Sequence, residues 1–299
     1  MTTGTKKKIS SVWSSIVIAL GICLVLWPLL HPGFFRSDDG EWMIIRLTAF
    51  FQSFRDGQFP VRFLGRLNNG YGYPVANFLY PGFLYAGSVF HAVGFSFVDS
   101  IKVLLALSVV GTSAFLFIWL RRFFDRLPSV VGVLSFIFSP YTLFDLYQRG
   151  SVGELFAFFP AAVGLWSLES KRRWVFSAAV GWLIISHNTI ALLVLLTYGI
   201  VILVRRQWDY VIPAVLGVGA AAFFWLPAIL ERQYVLFDNI AVSEPSKYFL
   251  SRALTFLIPW TSLVAAVVLF TVKKRTVFSS VALGVYGLSL FFASDLSRL

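Results

Sequence analysis

The sequence predicts an all-α polytopic membrane protein, and three observations carry that prediction. The 299 residues are 58% hydrophobic and only 13% charged, where soluble domains run nearer a quarter charged, and mean hydropathy is +0.79. The apolar residues fall into repeated runs close to the roughly 20 residues that a membrane helix needs. The basic residues sit in short clusters between those runs, where Lys and Arg set topology rather than bind nucleic acid, so the net charge of +11 implies no nucleic-acid partner.

Each run is justified in turn. Lys6-Lys7-Lys8 followed by the apolar stretch 12–30 has the charge pattern of a secretory signal, but it is too long and has no small-residue cleavage site. It reads as an uncleaved anchor with its lysines in the cytoplasm. Further runs cover 75–95, 101–120, 127–144, 155–168, 174–187, 189–204, 210–229, 253–272 and 276–293. If all ten crossed, Arg121-Arg122, Lys171-Arg172-Arg173, Arg205-Arg206 and Lys273-Lys274-Arg275 would lie outside, against the positive-inside rule. Removing 75–95, which carries Pro81, Gly82, Gly87, His91 and Gly94, repairs every later loop and leaves about nine crossings. That run then reads as an interfacial or re-entrant helix. The runs 155–168 and 174–187 are short and need tilt, local thinning or burial. The whole net charge then falls on the cytoplasmic side, and the outer face is neutral overall but dense in both signs.

The chain is expected to be one transmembrane domain, 1–299, with a long outer loop at 31–98. That loop opens with Arg36-Ser37-Asp38-Asp39-Gly40-Glu41, then a helix capped by Ser37 or Asp38. Its Met43, Ile44, Leu47, Phe50, Phe51 and Phe54 share one face, which is expected to lie on the membrane. An irregular stretch, Gln58 to Pro74, follows, with glycines and prolines among aromatics and Arg62 and Arg66. Later outer loops hold Asp145 to Glu154, Ser186-His187-Asn188-Thr189, and a segment 230–252 containing Glu231, Arg232, Tyr234, Asp238, Glu244, Lys247 and Arg252. The single cysteine, Cys23, lies in an apolar run and excludes an intramolecular disulfide.

The acidic residues Asp38, Asp39 and Glu41 just past the first run, the segment Tyr80-Pro81-Gly82-Phe83-Leu84-Tyr85, the Arg149-Gly150 to Gly153-Glu154 turn, and Leu226-Pro227-Ala228 before Glu231 form a recognisable order. It resembles the GT-C superfamily of polyprenyl-phosphate-dependent glycosyltransferases. In texture it is similar to the YfhO-like and PTPS-related bacterial membrane proteins, and the catalytic subunit of oligosaccharyltransferase has the same order of parts. The resemblance implies a GT-C-like helix bundle, an extracytoplasmic active face on a multi-pass plasma-membrane protein, a lipid-linked sugar donor, and an essential carboxylate at Asp38 or Asp39 with a second at Glu154. A Trp-Trp-Asp acceptor motif and a C-terminal extracytoplasmic domain are lacking, and the chain is expected to be truncated after Asp295 to Leu299.

The chemistry sorts the remaining candidates. Glycosyl transfer needs a carboxylate to deprotonate the acceptor and a stabiliser for the departing phosphate, so Asp38, Asp39 and Glu154 are the catalytic candidates. Arg62, Arg66 and Arg149 are bidentate phosphate donors, against a plain role in snorkelling to headgroups. His187, with Asn188, is a proton-shuttle, metal or substrate candidate, and Glu231 and Arg232 add polar groups on the same side. Asp38, Asp39, Glu154 and His187 together offer ligands for a divalent ion such as Mg or Mn, although their spacing is not diagnostic. Phe59, Tyr71, Tyr73, Tyr80 and Tyr85 can stack on sugar rings, but membrane interfaces collect such residues anyway, and an interfacial aromatic belt is the better account of them. The expected partners are a polyprenyl-phosphate-linked sugar, membrane lipids and an acceptor glycan, lipid or protein. The competing functions are a flippase or transporter of lipid-linked saccharides, and a non-catalytic membrane assembly subunit; transporters place charge within their crossings, and here charge collects at one face.

Overall fold

The computed structural model describes residues 3–236 together with Leu283, Gly284, Tyr286 and Gly287, with side chains described from Val12 onward. The expected crossings 253–272 and 276–293, apart from those four residues, and Asp238, Glu244, Lys247 and Arg252 lie outside the described residues. The elements in order are α1 (Thr3–Leu26), α2 (Gly40–Arg55), α3 (Val75–Phe78), α4 (Gly82–Ala92), α5 (Phe97–Leu120), α6 (Arg126–Ile137), α7 (Pro140–Leu143), α8 (Val152–Glu169), α9 (Arg173–Ser186), α10 (Asn188–Val204), α11 (Val211–Ala220) and α12 (Ala222–Leu230). Among the described residues there is no strand, only a bridge between Leu64 and Tyr73. The fold is all-helical, as expected.

By length and apolarity, α1 with its continuation to Leu30, α5 and α8 are candidate membrane spans. Two bent pairs raise the number to five if each counts as one span: α6 with Pro140–Arg149, bent by 41°, and Trp208–Ala220 with α12, bent by 65°. The helices α9 and α10, of 14 and 17 residues, are shorter. The run 75–95 breaks at Leu79–Pro81, and the 11 residues of α4 rise only about 16 Å, short of a hydrocarbon core of about 30 Å.

Three apolar clusters hold the bundle, the smallest joining α1 to α6 through Ile18, Val130 and Val133. Leu47 and Phe50 of α2, Leu84 of α4, Ile101, Leu104 and Leu105 of α5 and Leu155 of α8 form the first; Phe176, Val180, Tyr198 and Tyr210 centre the second, between α8, α9, α10 and α11. Leu47 sits where a side chain on Gly87 would go, so α2 and α4 pack closely. This corrects the expectation that α2 lies on lipid by its apolar face. Met43, Leu47 and Phe50 face protein, and of that face only Phe54, near the end of α2, is exposed, with Trp42 and Ile45 the other exposed apolar residues.

Hydroxyls inside the bundle are absorbed by the backbone. Ser88, Ser108, Thr112 and Ser113 each donate to the carbonyl four residues back, which removes an unpaired polar atom from an apolar interior. The basic clusters meet at one end. Arg122 bonds Ser170, Arg205 pairs with Glu169 and stacks over Phe123, and Arg173 pairs with Asp209 at 2.5 Å. Residues 31–96 and the turns at 144–153 and 187–188 gather at the other end, where Lys102 donates to the His31 carbonyl.

Candidate functional site

The site is built by a strap between two distant loops. The amide of Asp38 donates to the Gln148 carbonyl at 2.9 Å and that of Asp39 to the Arg149 carbonyl at 2.8 Å. Residues expected to form a loop at 145–154 are instead mostly helical. Phe144–Arg149 make a wide helical turn that ends at Gly150 (φ 69°), and α8 begins at Val152. Gly150 is required there: a Cβ would lie 2.6 Å from Ser37 Oγ and 2.9 Å from the Gly40 amide nitrogen. Gly153 admits the Tyr80 ring, which stands 2.0 Å from where its Cβ would be. The glycines of the Arg-Gly-x-x-Gly-Glu turn are therefore contact points for the first loop.

This packing gathers three acids around one guanidinium. Arg149 Nη1 donates to Glu154 Oε2 at 2.6 Å and lies 3.6 Å from Asp145 Oδ1, and Arg149 Nε lies 3.9 Å from Asp39 Oδ2. Glu154 also accepts from the Tyr141 hydroxyl and sits in the first turn of α8, where the helix dipole favours negative charge. Its side chain is 5% exposed, that of Asp145 1%, those of Asp39 and Arg149 45% and 41%. The cluster therefore opens outward through Asp39 and Arg149 and is closed behind by Glu154 and Asp145. Neither oxygen of Asp145 has a hydrogen-bond partner among the described residues.

His187 closes the inner side. It caps α10, its Nδ1 accepting from the Ile190 amide at 3.3 Å, which leaves the ring proton on Nε2, 4.0 Å from Glu154 Oε2. Burial and then the nearby Arg149 cation push its pKa down to about 4, so the imidazole is neutral at neutral pH. Tyr80 packs on this ring, centroids 4.6 Å apart, and burial followed by the Glu154 charge pushes its hydroxyl up to about 12. The belt reading of the aromatics is thus corrected for Tyr80. It is corrected also for Tyr85, whose hydroxyl accepts from the Val61 amide at 3.1 Å.

The sequence candidates divide into groups. Asp39, Arg149, Glu154 and His187 converge. Asp38 is exposed, and its described contact is through the backbone. Ser37 Oγ, not Asp38, accepts from the Gly40 amide at the start of α2. Arg62 and Glu231 form a second group: Arg62 Nη2 reaches the Phe223 carbonyl at 3.5 Å, and Glu231 Oε2 accepts from Asn77 Nδ2 at 2.8 Å. Asn188 is exposed and donates to the Phe78 carbonyl at 3.4 Å, linking α10 to α3. Arg66 pairs with Asp56 at 3.9 Å, both largely exposed; Tyr73 and Arg232 are exposed.

The proposed quartet of metal ligands does not close around an ion. Among the described residues no three His, Cys, Asp or Glu side chains are placed to hold one. The cation that Asp39, Asp145 and Glu154 surround is Arg149. Sequence reasoning missed Asp145 and Tyr141 as site residues. Compared with protein-family models and with curated proteins, the sequence gives no match.

Proposed function

We propose that the chain is a membrane glycosyltransferase of GT-C type, transferring a sugar from a polyprenyl-phosphate-linked donor to an acceptor at the extracytoplasmic face. The observation that carries the reading is the half-exposed carboxylate of Asp39, held beside an arginine that is itself fixed by buried Glu154. The basic ends of α5, α6, α8, α9 and α10 lie at the opposite end of the bundle, which with the positive-inside rule supports reading the acid cluster as extracytoplasmic and the N-terminus as cytoplasmic. The expected count of about nine crossings includes two runs that lie almost wholly outside the described residues.

In this reading Asp39 takes the proton of an acceptor hydroxyl as its oxygen attacks the anomeric carbon, and the bond from that carbon to the phosphate oxygen breaks with its electron pair leaving on phosphate. Arg149, 3.9 Å away, keeps Asp39 aimed. Glu154, with Tyr141 and His187 against it, keeps Arg149 in place. Charges in the spans α1, α5 and α8 lie within about two turns of an end, which suits surface chemistry better than passage of a charged substrate through the bundle.

The test is transfer from a labelled polyprenyl-linked sugar in membranes containing the protein. Asp39→Asn is expected to abolish transfer with the protein still folded, and full transfer by that variant rejects the assignment.

A further inference from the structure

The end of α1 and the start of α5 stand apart around an open cleft of about 500 Å³, within the range of roughly 300–1,000 Å³ that takes a small ligand. On the α1 side its lining runs from Leu26 and Leu29 to His31. On the α5 side it runs back from Ala106 and Val103 to Lys102 and Asp99, and Lys102 meets His31 across the gap. Asp99 to Ala106 is seven residues of helix, about 10 Å. Both walls therefore pass from polar at the loop-bearing end of the bundle to apolar toward its middle, the order of groups in an amphiphile standing in a membrane leaflet. No residue of the Arg149 cluster lines this cleft.

The charges at its mouth are held apart. Asp99 and Lys102 are three residues apart on one helix, a spacing at which opposite charges pair, yet among the described residues neither is in an ion pair. Lys102 Nζ donates instead to the His31 carbonyl at 2.5 Å, and Asp99 Oδ2 accepts from Ser96 Oγ at 2.6 Å. Ser96 Oγ in turn accepts the Asp99 amide at 3.0 Å and so fixes the backbone that carries the carboxylate. An ammonium has three donors and a carboxylate about four acceptor sites, so each group keeps capacity that the protein does not use.

We infer that this cleft binds a membrane phospholipid with a zwitterionic, primary-amine headgroup of the phosphoethanolamine class, its phosphate on Lys102, its ammonium on Asp99 and its upper chain against Leu26, Leu29, Val103 and Ala106. A cation and an anion kept separate on one rim match a headgroup that carries both charges. A glycerol headgroup would set its phosphate near Asp99 with no cation to answer the carboxylate. A choline headgroup brings the charge but no N–H, so it cannot donate to Asp99. The lipid spans the gap between α1 and α5, and binding the folded state alone it stabilises that pair. The inference does not depend on sugar transfer.

The test uses the full-length protein in detergent, titrated with phosphatidylethanolamine, phosphatidylcholine and phosphatidylglycerol of identical chains. Native mass spectrometry counts bound lipid, and the thermal unfolding midpoint reports stabilisation. The parent is expected to prefer the ethanolamine lipid over the choline lipid by about fivefold or more, and Asp99→Asn, which keeps an oxygen for Ser96, to lose that preference. Lys102→Gln is expected to weaken both lipids about tenfold, the loss of a charge-assisted contact. Leu30→Trp, which fills the cleft from an exposed position, is expected to weaken all three; Leu192→Trp, exposed on α10 away from the cleft, none. Equal affinity of the parent for the ethanolamine and choline lipids overturns the inference, as does a preference that survives both Asp99→Asn and Leu30→Trp. A preference for the glycerol lipid overturns it in favour of an anion site, and displacement by chain-free glycerophosphoethanolamine at matching concentration overturns the lipid as occupant.

Discussion

The strap that joins residues 38–39 to 148–149 is the joint on which the site depends, and Gly150→Ala tests it. The backbone there is left-handed, φ 69°, which costs a residue with a Cβ about 1–2 kcal/mol. The new methyl would also stand 2.6 Å from Ser37 Oγ, 2.9 Å from the Gly40 nitrogen and 3.0 Å from Ser37 Cβ, an overpacking of the kind that costs about 1–3 kcal/mol. The expected loss is therefore about 2–5 kcal/mol, and its first consequence is to separate Asp39 from Arg149. Ser37→Gly removes two of the three close atoms at the expense of the Gly40 cap, so in the double variant the losses are expected to be less than additive, by about 1 kcal/mol or more. Unfolding of the four proteins in mixed micelles, followed beside transfer activity, measures both. A Gly150→Ala protein as stable as its parent, or losses in the double variant that simply sum, would refute the geometry of the strap.

Other outcomes follow from the same cluster. Asp39→Asn and Asp38→Asn are expected to part, the first losing about 10²-fold or more in transfer and the second staying near the parent, in assays of initial rate. Glu154→Gln removes the charge closest to Arg149; a broken buried pair costs about 3–5 kcal/mol. Here the loss is expected nearer 1–2 kcal/mol, since Arg149 is 41% exposed and Asp145 remains at 3.6 Å, and denaturant midpoints report it. The pKa of His187 is about 4 folded and near 6.5 unfolded, so between those values the unfolded chain binds the extra proton and stability falls as pH falls. His187→Asn keeps a capping side chain and is expected to lose less stability than the parent between pH 7 and pH 5 in thermal unfolding. With Cys23 replaced, cysteines at Phe123 and Ser170 are expected to label from one side of the membrane and a cysteine at Asp38 from the other; labelling of all three from one side would overturn the two-ended arrangement.

Every apolar run up to residue 229 is found as helix, because run length and hydropathy are local properties. The breaks were less accessible. Ser139-Pro140 gives a readable signal, a cap accepting the Thr142 amide at 3.1 Å and a proline at the first position, and it splits a run that looked continuous from 127 to 144. The break at Ala220-Ala221-Ala222 has neither glycine nor proline at it and depends on how α12 meets α3 and α9. The start of α8 was missed by three residues, since Val152-Gly153-Glu154 looks like loop until Tyr80, Tyr141 and Arg149 cover it. Asp145 was invisible as a buried group: only the wide turn at 144–149 points it inward. Tyr80 on Gly153 and Asp39 on Arg149 are pairings across more than 70 residues, which no local pattern encodes.

The charge balance of the cluster bears on how work is divided at this face. Asp39, Asp145 and Glu154 share one guanidinium, and the fourth titratable neighbour, His187, is neutral, so the cluster carries more negative than positive charge wherever the acids are ionised. A phosphate brought onto Arg149 would have to displace a carboxylate at 2.6 Å and meet two more within 4 Å. Arginine in that state is an organiser of acids rather than an anion receptor. Arg62 has the opposite setting, with no carboxylate beside it among the described residues and an unpaired buried Nε. The two guanidiniums thus differ in setting: Arg149 is held among three acids, whereas Arg62 lies on the far side of the Tyr80–Pro81 step with its Nη2 on the Phe223 carbonyl. From the sequence Arg62 and Arg149 are expected to share one task; their neighbours in the fold are different.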